Sequence, residues 1–400
     1  MTFIQTTAGI TGTFDSINDD YALLNFSSAV DGNDYELTID KLTYDTAASS
    51  GNQLSLSQVL NALNTSDDAD VQAFLYQIDL LSASGIGAGY NALVPSLSLN
   101  MDLIARSNSA LFFDQISRYA FSDYKADDQD VYAYIMGALG SLSNTGGNLG
   151  AAWETYGIGA GKNIFTSGEA AIGIAGGGVW SDADGNDSIG SGTMKGVQTA
   201  LYGRTGGDLG WGNLLLGYGR NWNKTARPIG FLGAAADSTW ESDVYSVSLA
   251  GGWNMASDGP VKFQPTAALN YTRVNAESYF ETGAGRANLS VDSGAYESLR
   301  HEAGVRAVCR AWENNEKGIQ SDFKLLWVHE YADRDSTRTV SLAGERFQGS
   351  SARPSRDSLA AGVGLAFAMP GGMTGRLAYD SELSRDMTVQ SLSLDIKIKF

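Results

Sequence analysis

The sequence predicts an all-β membrane protein, a twelve-stranded antiparallel transmembrane β-barrel, and three observations carry that prediction. The first is the end of the chain. Across Thr388 to Phe400, Leu392, Leu394, Ile396, Ile398 and Phe400 fall on one face of an extended strand, and Ser391, Ser393, Asp395, Lys397 and Lys399 on the other. Two lysines and an aspartate do not suit the hidden face of a soluble sandwich, whereas a membrane barrel is apolar outside and wet inside. The second is a period of two that runs from about residue 131 to residue 400, broken by clusters of Gly, Asn, Asp and Ser. The third is composition: 48 Gly, 6 Pro, 8 Trp, 18 Tyr and 15 Phe suit closely packed strands with aromatic girdles at the rims.

Taken in order, residues 1–50 read as short alternating strands, with Tyr35, Leu37 and Ile39 alternating just after the turn pair Asp31-Gly32. A strand-rich piece this short buries little by itself and reads as the end of a larger β structure. From about 52 to 121 the period becomes helical. After the capping candidates Ser66 and Asp67, residues Val71, Phe74, Leu75, Ile78 and Leu81 recur at helical spacing, and an earlier turn carries Val59, Leu60 and Leu63. These read as packing helices. A second stretch, 108–121, carries Leu111, Phe112, Ile116 and Tyr119 with Asp114, Gln115 and Arg118 between them. It lies directly before the barrel pattern and is placed to thread it.

Twelve strands are predicted, at roughly 131–141, 150–162, 168–181, 192–204, 211–223, 241–254, 261–274, 297–311, 320–332, 357–369, 372–383 and 387–400. Each is near the about 9–11 residues that a tilted strand needs to cross a bilayer. An even count brings both ends of an antiparallel barrel to one side, with 387–400 pairing 131–141 to close it. The faces separate cleanly: Val261, Phe263, Ala267, Leu269 and Tyr271 oppose Lys262, Gln264, Thr266, Asn270 and Thr272. Likewise Leu299, Ala303, Val305, Ala307 and Cys309 oppose Arg300, Glu302, Arg306 and Arg310. Charges on the hidden side would cost several kcal/mol each in a dry core, so these are expected to line a hydrated lumen. His301 and His329 fall on the apolar face. Long connections are expected at Asp182–Gly192, around Ala226–Thr239, at Glu277–Tyr296 and at Asp333–Arg356, and tight ones at Pro370-Gly371-Gly372 and Ser384-Arg385-Asp386.

Charge and motifs narrow the function classes. A net charge of −18 offers no basic surface for a nucleic-acid partner. A single cysteine, Cys309, excludes an internal disulfide framework and reads as a small apolar filler. No run of eighteen apolar residues exists, so no transmembrane helix is expected. The start, M-T-F-I-Q-T-T-A-G, lacks the basic and apolar regions of a secretory signal, so an exported protein would comprise these residues within a longer precursor. No enzyme chemistry, metal or cofactor is expected. His301-Glu302 and His329-Glu330 lack the second His that a zinc helix requires. Gly157 to Lys162 fails the phosphate-loop pattern, with Tyr156 in place of the first Gly and Asn163 in place of Ser or Thr. An outer-membrane protease or lipase would need a His beside a carboxylate or Ser at the outer rim.

The residues resemble the C-terminal translocator of a type Va autotransporter over nearly the whole chain. The resemblance runs through T-A-G-I-T-G-T-F-D-S-I, A-L-L-N-F-S-S-A-V-D-G-N-D-Y-E-L-T-I and N-Q-L-S-L-S-Q-V-L-N-A-L, then the helix around Ser109 to Tyr119. It continues with Tyr279 to Gly285, Ala287 to Val291, Ser298-Leu299-Arg300 and the terminal Phe400. It implies residues 1–50 as the C-terminal end of a passenger, 51–130 as a helical linker with a pore helix at about 108–121, and 131–400 as the barrel. It further implies a Gram-negative outer-membrane protein that exports its own passenger, driven by passenger folding outside, and then holds Leu111, Phe112, Gln115, Ile116, Arg118 and Tyr119 in its pore. Arg300, Glu302, Arg306, Arg310, Asp395, Lys397 and Lys399 would face the lumen. Leu392, Leu394, Ile396, Ile398 and Phe400 resemble the signal read by the barrel-assembly machinery. The implied partners are that machinery, outer-membrane lipid and lipopolysaccharide, and the passenger, with the barrel a monomer. Some relatives cut their passenger at an Asn-Asn pair in the pore helix. Here 108–121 holds only Asn108 and the one pair is Asn314-Asn315, so that cleavage is not expected. The alternative reading is a porin or adhesin barrel without a secretion role.

Overall fold

The computed structural model describes residues 2–12, 14, 17–120, 131–255, 259, 261–314, 317–369 and 373–398. The chain opens with a small sheet of β1 (Thr2–Gln5), β2 (Leu24–Asp31) and β3 (Asp34–Lys41), with β3 in the middle. Gly32 takes φ +61 in the tight β2–β3 turn, a conformation that costs glycine nothing. Four helices follow: α1 (Gly51–Leu63), α2 (Ala69–Asp79), α3 (Ile86–Asn91) and α4 (Ser96–Ala120). Ser50 caps α1 by accepting from Gln53 N at 3.2 Å. Asp68 caps α2, accepting from Asp70 N and Val71 N, so the cap is one residue beyond the Ser66 and Asp67 that the sequence suggested.

The wall begins with β4 (Val131–Leu142), β5 (Ala151–Ser167), β6 (Ala170–Gly185), β7 (Ser191–Gly206), β8 (Gly210–Ile229), β9 (Ala234–Trp253) and β10 (Val261–Ala276). A long connection carrying β11 (Tyr279–Phe280) and β12 (Leu289–Val291) leads to β13 (Gly294–Asn314) and β14 (Lys317–Glu330). A second, carrying β15 (Thr337–Leu342) and β16 (Glu345–Ser350), leads to β17 (Asp357–Met369), β18 (Met373–Leu383) and β19 (Met387–Ile398). Twelve of these strands close a barrel in which every neighbouring pair is antiparallel. β19 seals it against β4, with Lys397 opposite Tyr132 and Leu394 opposite Ile135.

The wall is apolar outward. Phe323, Leu325 and Trp327 on β14 are about half exposed, as are Leu392 on β19 and Leu249 on β9. A continuous collar of such residues is what lipid requires and water does not tolerate. The connections with β11–β12 and β15–β16 lie at the end of the barrel opposite the one where β4 begins, here termed the loop end. There β11, β12, β15 and β16 form a second sheet, and α1–α3 pack on it around Tyr44, Leu60, Phe74, Ile78, Tyr90, Val340 and Phe347. Asn52 on α1 pairs with the backbone of Ser350 like an extra strand residue, donating to its carbonyl at 2.8 Å and accepting from its N–H at 2.9 Å.

Further expectations change, among them the long connection expected at Asp182–Gly192, where β6 runs on to Gly185 and β7 starts at Ser191. The helix before the barrel starts at Ser96, twelve residues ahead of the expected 108. Its first half, S-L-S-L-N-M-D-L, alternates like a strand because every residue from Ser96 to Ser109 is buried, so no solvent-facing stripe marks the helical period. The expected loop around Ala226–Thr239 is strand: β8 and β9 run on to a tight turn at Gly230–Leu232, closed by Gly233 at φ +60. The polar stretch Asp333–Arg356 contains the β15–β16 hairpin rather than an irregular loop.

Candidate functional site

α4 is 25 residues long, roughly 37 Å at the usual rise, and it fills the barrel from the loop end inward. Its side chains bond first to the loop-end connections and then to the wall, in sequence order. Asn100 donates to Leu149 O at 2.9 Å and accepts from Ala352 N at 3.1 Å. Asp102 pairs with Arg338 and accepts from Ser336 Oγ at 2.7 Å. Deeper, Asn108 donates to Ser181 Oγ at 2.9 Å and accepts from Thr155 Oγ1 at 3.1 Å, and Ser109 meets Ser246 at 2.7 Å. Near its last turn Arg118 donates to Ser393 Oγ at 2.7 Å.

The two flanks of the helix meet unlike walls. On one side Leu111, Phe112, Phe113 and Ile116 pack against Tyr132, Tyr134 and Met136 of β4, Val179 of β6, Tyr202 of β7 and Leu215 of β8. Gly217 makes room for this contact: a Cβ there would lie 2.5 Å from the Phe113 ring. On the other side Arg106, Asp114 and Arg118, spaced eight and four residues apart along the helix, face the charged wall. Arg118 pairs with Asp114 and with Asp380 of β18. Lys324 of β14 bridges Asp380 at 2.8 Å and Asp114 at 3.3 Å. Asp322 holds Arg376 at 2.7 Å and Arg306 at 3.4 Å, and Arg300 pairs with Glu382. A cavity of about 180 Å³ remains between helix and wall on this side, lined by Asp114, Arg118, Glu302 and Lys324 among others. Asp114, Arg118, Arg300, Arg306, Asp322, Lys324, Arg376 and Asp380 each hold an ion-pair partner there, which is how charges persist in an enclosed space, whereas Glu302 accepts from Asn270 Nδ2 at 2.9 Å.

The expected site residues fall as follows. Leu111, Phe112, Gln115, Ile116 and Arg118 are buried on the helix inside the barrel. Tyr119 lies on the helix, with its side chain outside the described residues. Arg300, Glu302, Arg306, Asp395 and Lys397 lie on the inward faces of β13 and β19. The side chain of Arg310, and Lys399 and Phe400 entirely, are outside the described residues. Leu392, Leu394 and Ile396 point outward, and Ile398 ends β19 opposite Val131. Sequence reasoning missed the apolar half of the lumen. It also missed Asp102, whose partner Arg338 sits on a hairpin that was not foreseen. The signal for Asp102 is the alternating run in which it lies, ahead of the 108–121 stretch expected to enter the pore.

The barrel matches a family model described as autotransporter β-domain over residues 131–380. Two relatives from Serratia marcescens, each named extracellular serine protease, are 22% and 24% identical over all of this chain. The chain spans 43% of their length. Among solved structures, the translocator domain of the autotransporter NalP from Neisseria meningitidis superposes with a TM-score of 0.59 at 17% identity, over 74% of this chain and 99% of that one. The β-domain of the Bordetella autotransporter BrkA gives 0.52 at 17% identity, over 68% of this chain and 100% of that one. The transport unit of AIDA-I from Escherichia coli gives 0.51 at 16% identity, over 70% and 93%.

Proposed function

The chain belongs to the autotransporter β-domain family, the outer-membrane translocator barrels of type V secretion, and from that premise we propose that it exports its own N-terminal passenger and afterwards keeps α4 as the occupant of its pore. One observation carries the reading: α4 leaves the loop end at Ser96 and runs down the lumen, while β4 starts at the opposite end. A chain arranged in this way has its segment before Ser96 on one side of the membrane and its first wall strand starting from the other.

On this reading residues 1–50 are the end of the passenger, 51–130 the linker with its pore helix, and 131–400 the translocator. Leu392, Leu394, Ile396 and Ile398 of β19, and Phe400 after them in the sequence, are the signal presented to the barrel-assembly machinery. Lys195 supports contact with outer-leaflet lipid and lipopolysaccharide, since it sits outward between Trp180 and Trp222, each nearly half exposed, at the loop-end edge of the apolar band. We assign no catalysis to the chain. Its two histidines both face outward: His329 does lie beside a carboxylate, Asp357, at 2.8 Å, but among the described residues no serine hydroxyl is bonded to either ring to act as a nucleophile.

A reporter placed ahead of Thr2 tests the proposal. It is expected on the cell surface in the intact chain and retained inside when β19 is deleted. A reporter that never reaches the surface of cells with a correctly folded barrel would overturn it.

A further inference from the structure

The protein has two histidines, and the fold places them directly opposite one another on neighbouring strands: His301 of β13 faces His329 of β14. Both lie on the outward side near the loop-end rim, where β14 ends at Glu330 and β17 begins at Asp357. Their ring centres are 5.8 Å apart and their planes differ by 32°. Two imidazoles sharing one metal at about 2.0–2.1 Å, each nitrogen roughly 1.1 Å from its ring centre, have centres about 5 Å apart at the tetrahedral angle. The observed separation exceeds that spacing by less than about 1 Å.

The surroundings suit ligation as well as spacing. His329 Nδ1 lies 2.8 Å from Asp357 Oδ1. A carboxylate only accepts, so Nδ1 carries the hydrogen and the Nε2 lone pair is left for a ligand, the arrangement in which a carboxylate orients a metal-binding histidine. Trp327 Nε1 donates to the same Asp357 oxygen at 2.9 Å and holds it in place. His301 Nδ1 is enclosed and has no hydrogen-bond partner among the described residues. Tyr331 and Trp327 pack on the rings, with centres 5.4 and 4.7 Å from that of His301.

We propose that His301 and His329 form a cross-strand binding site for a first-row divalent metal of the zinc, nickel or copper type, with Asp357 positioning His329. Among the described residues no three His, Cys, Asp or Glu side chains converge to hold an ion, so the protein supplies two imidazoles and water completes the shell. Bound metal would staple β13 to β14 at the rim, next to the connection that carries the β15–β16 hairpin. This inference is independent of the export reading.

The test is titration of Cu²⁺ alone into the full chain, without an affinity tag, folded in detergent micelles, read by calorimetry and by the nitrogen splitting of the copper resonance spectrum. The proposal expects one saturable site per chain with two nitrogen ligands. His301→Ala and His329→Ala should each weaken it at least tenfold while the barrel keeps its heat-modifiable gel migration. Asp357→Asn should weaken it by about tenfold with the stoichiometry kept. The proposal is overturned if the intact chain binds without saturation, or if either single-histidine variant binds as tightly as the intact chain. Wild-type affinity in Asp357→Asn would overturn the role given to Asp357.

Discussion

Arg118 on the lumenal helix is paired with Asp380 on β18, 262 residues further along the chain. The pair fixes which flank of α4 faces the charged half of the wall. A helix turned by half a revolution would press Arg118 and Asp114 against Tyr134 and Met136, leaving two buried charges unpaired. Replacing Arg118 with Ala is therefore expected to destabilise the seated helix by ~3 kcal/mol, because Asp380 is left with Lys324 as its remaining cation. Denaturant unfolding followed by protease access to α4 would measure it. The double replacement of Arg118 and Asp380 by Ala should cost less than the sum of the singles, and strict additivity would contradict the pairing.

Gln115 supplies the opposite case. It is 1% exposed, and among the described residues neither the oxygen nor the nitrogen of its carboxamide has a hydrogen-bond partner. Gln115→Leu removes two unsatisfied groups at nearly constant volume and is expected to stabilise the occupied barrel by about 1–2 kcal/mol. The midpoint of the heat-induced shift in gel migration should rise. A fall would show that the amide has a role that the geometry does not explain.

Conductance separates an occupied translocator from an open porin. With α4 in place, the described space beside it is a cavity of about 180 Å³ lined by charged side chains, so planar bilayers should show little current. Deletion of Ser96–Ala120 should open a large steady channel. Equal current from both proteins would favour the porin reading.

How far these features were legible depended on whether a strand had one polar face. β13 announces itself because Arg300, Glu302 and Arg306 alternate with Leu299, Ala303 and Val305. The closing pair of β19 and β4 was equally plain at its terminal strand. β4 was expected at 131–141 and is found at Val131–Leu142, but its wet face carries no charge signal: Tyr132, Tyr134 and Met136 point inward at the helix while Ile135 and Leu139 point at lipid, so both faces are apolar. The N-terminal half of α4 was hidden for a related reason. A helix enclosed on every side has no wet stripe, and its polar residues bond to loops that are remote in sequence, as Asp102 does to Arg338. Arg338 itself made its hairpin look like a solvated loop, because a buried arginine is indistinguishable from an exposed one until its partner is known.

The loop-end cap carries a pH dependence of its own. Burial, reinforced by the Asp79 carboxylate 2.9 Å from its hydroxyl, raises the Tyr44 phenol well above its ordinary value. A phenol whose folded pKa exceeds the unfolded value of about 10 contributes stability that is complete below pH ~10 and is lost as pH rises beyond it. Residues 44–90 should therefore become protease-sensitive above pH ~10 while the barrel remains folded. Protection unchanged through that range would contradict the environment assigned to Tyr44.

The central claim is that the chain before Ser96 lies outside the cell and reaches the wall only through the lumen. Ile39 on β3 is 51% exposed, and Cys309 is the one native cysteine. A chain carrying Cys309→Ser and Ile39→Cys, expressed in intact Gram-negative cells, can be treated with a thiol reagent that cannot cross the outer membrane. The account predicts full labelling without permeabilisation. Labelling that appears only after the outer membrane is opened would contradict it.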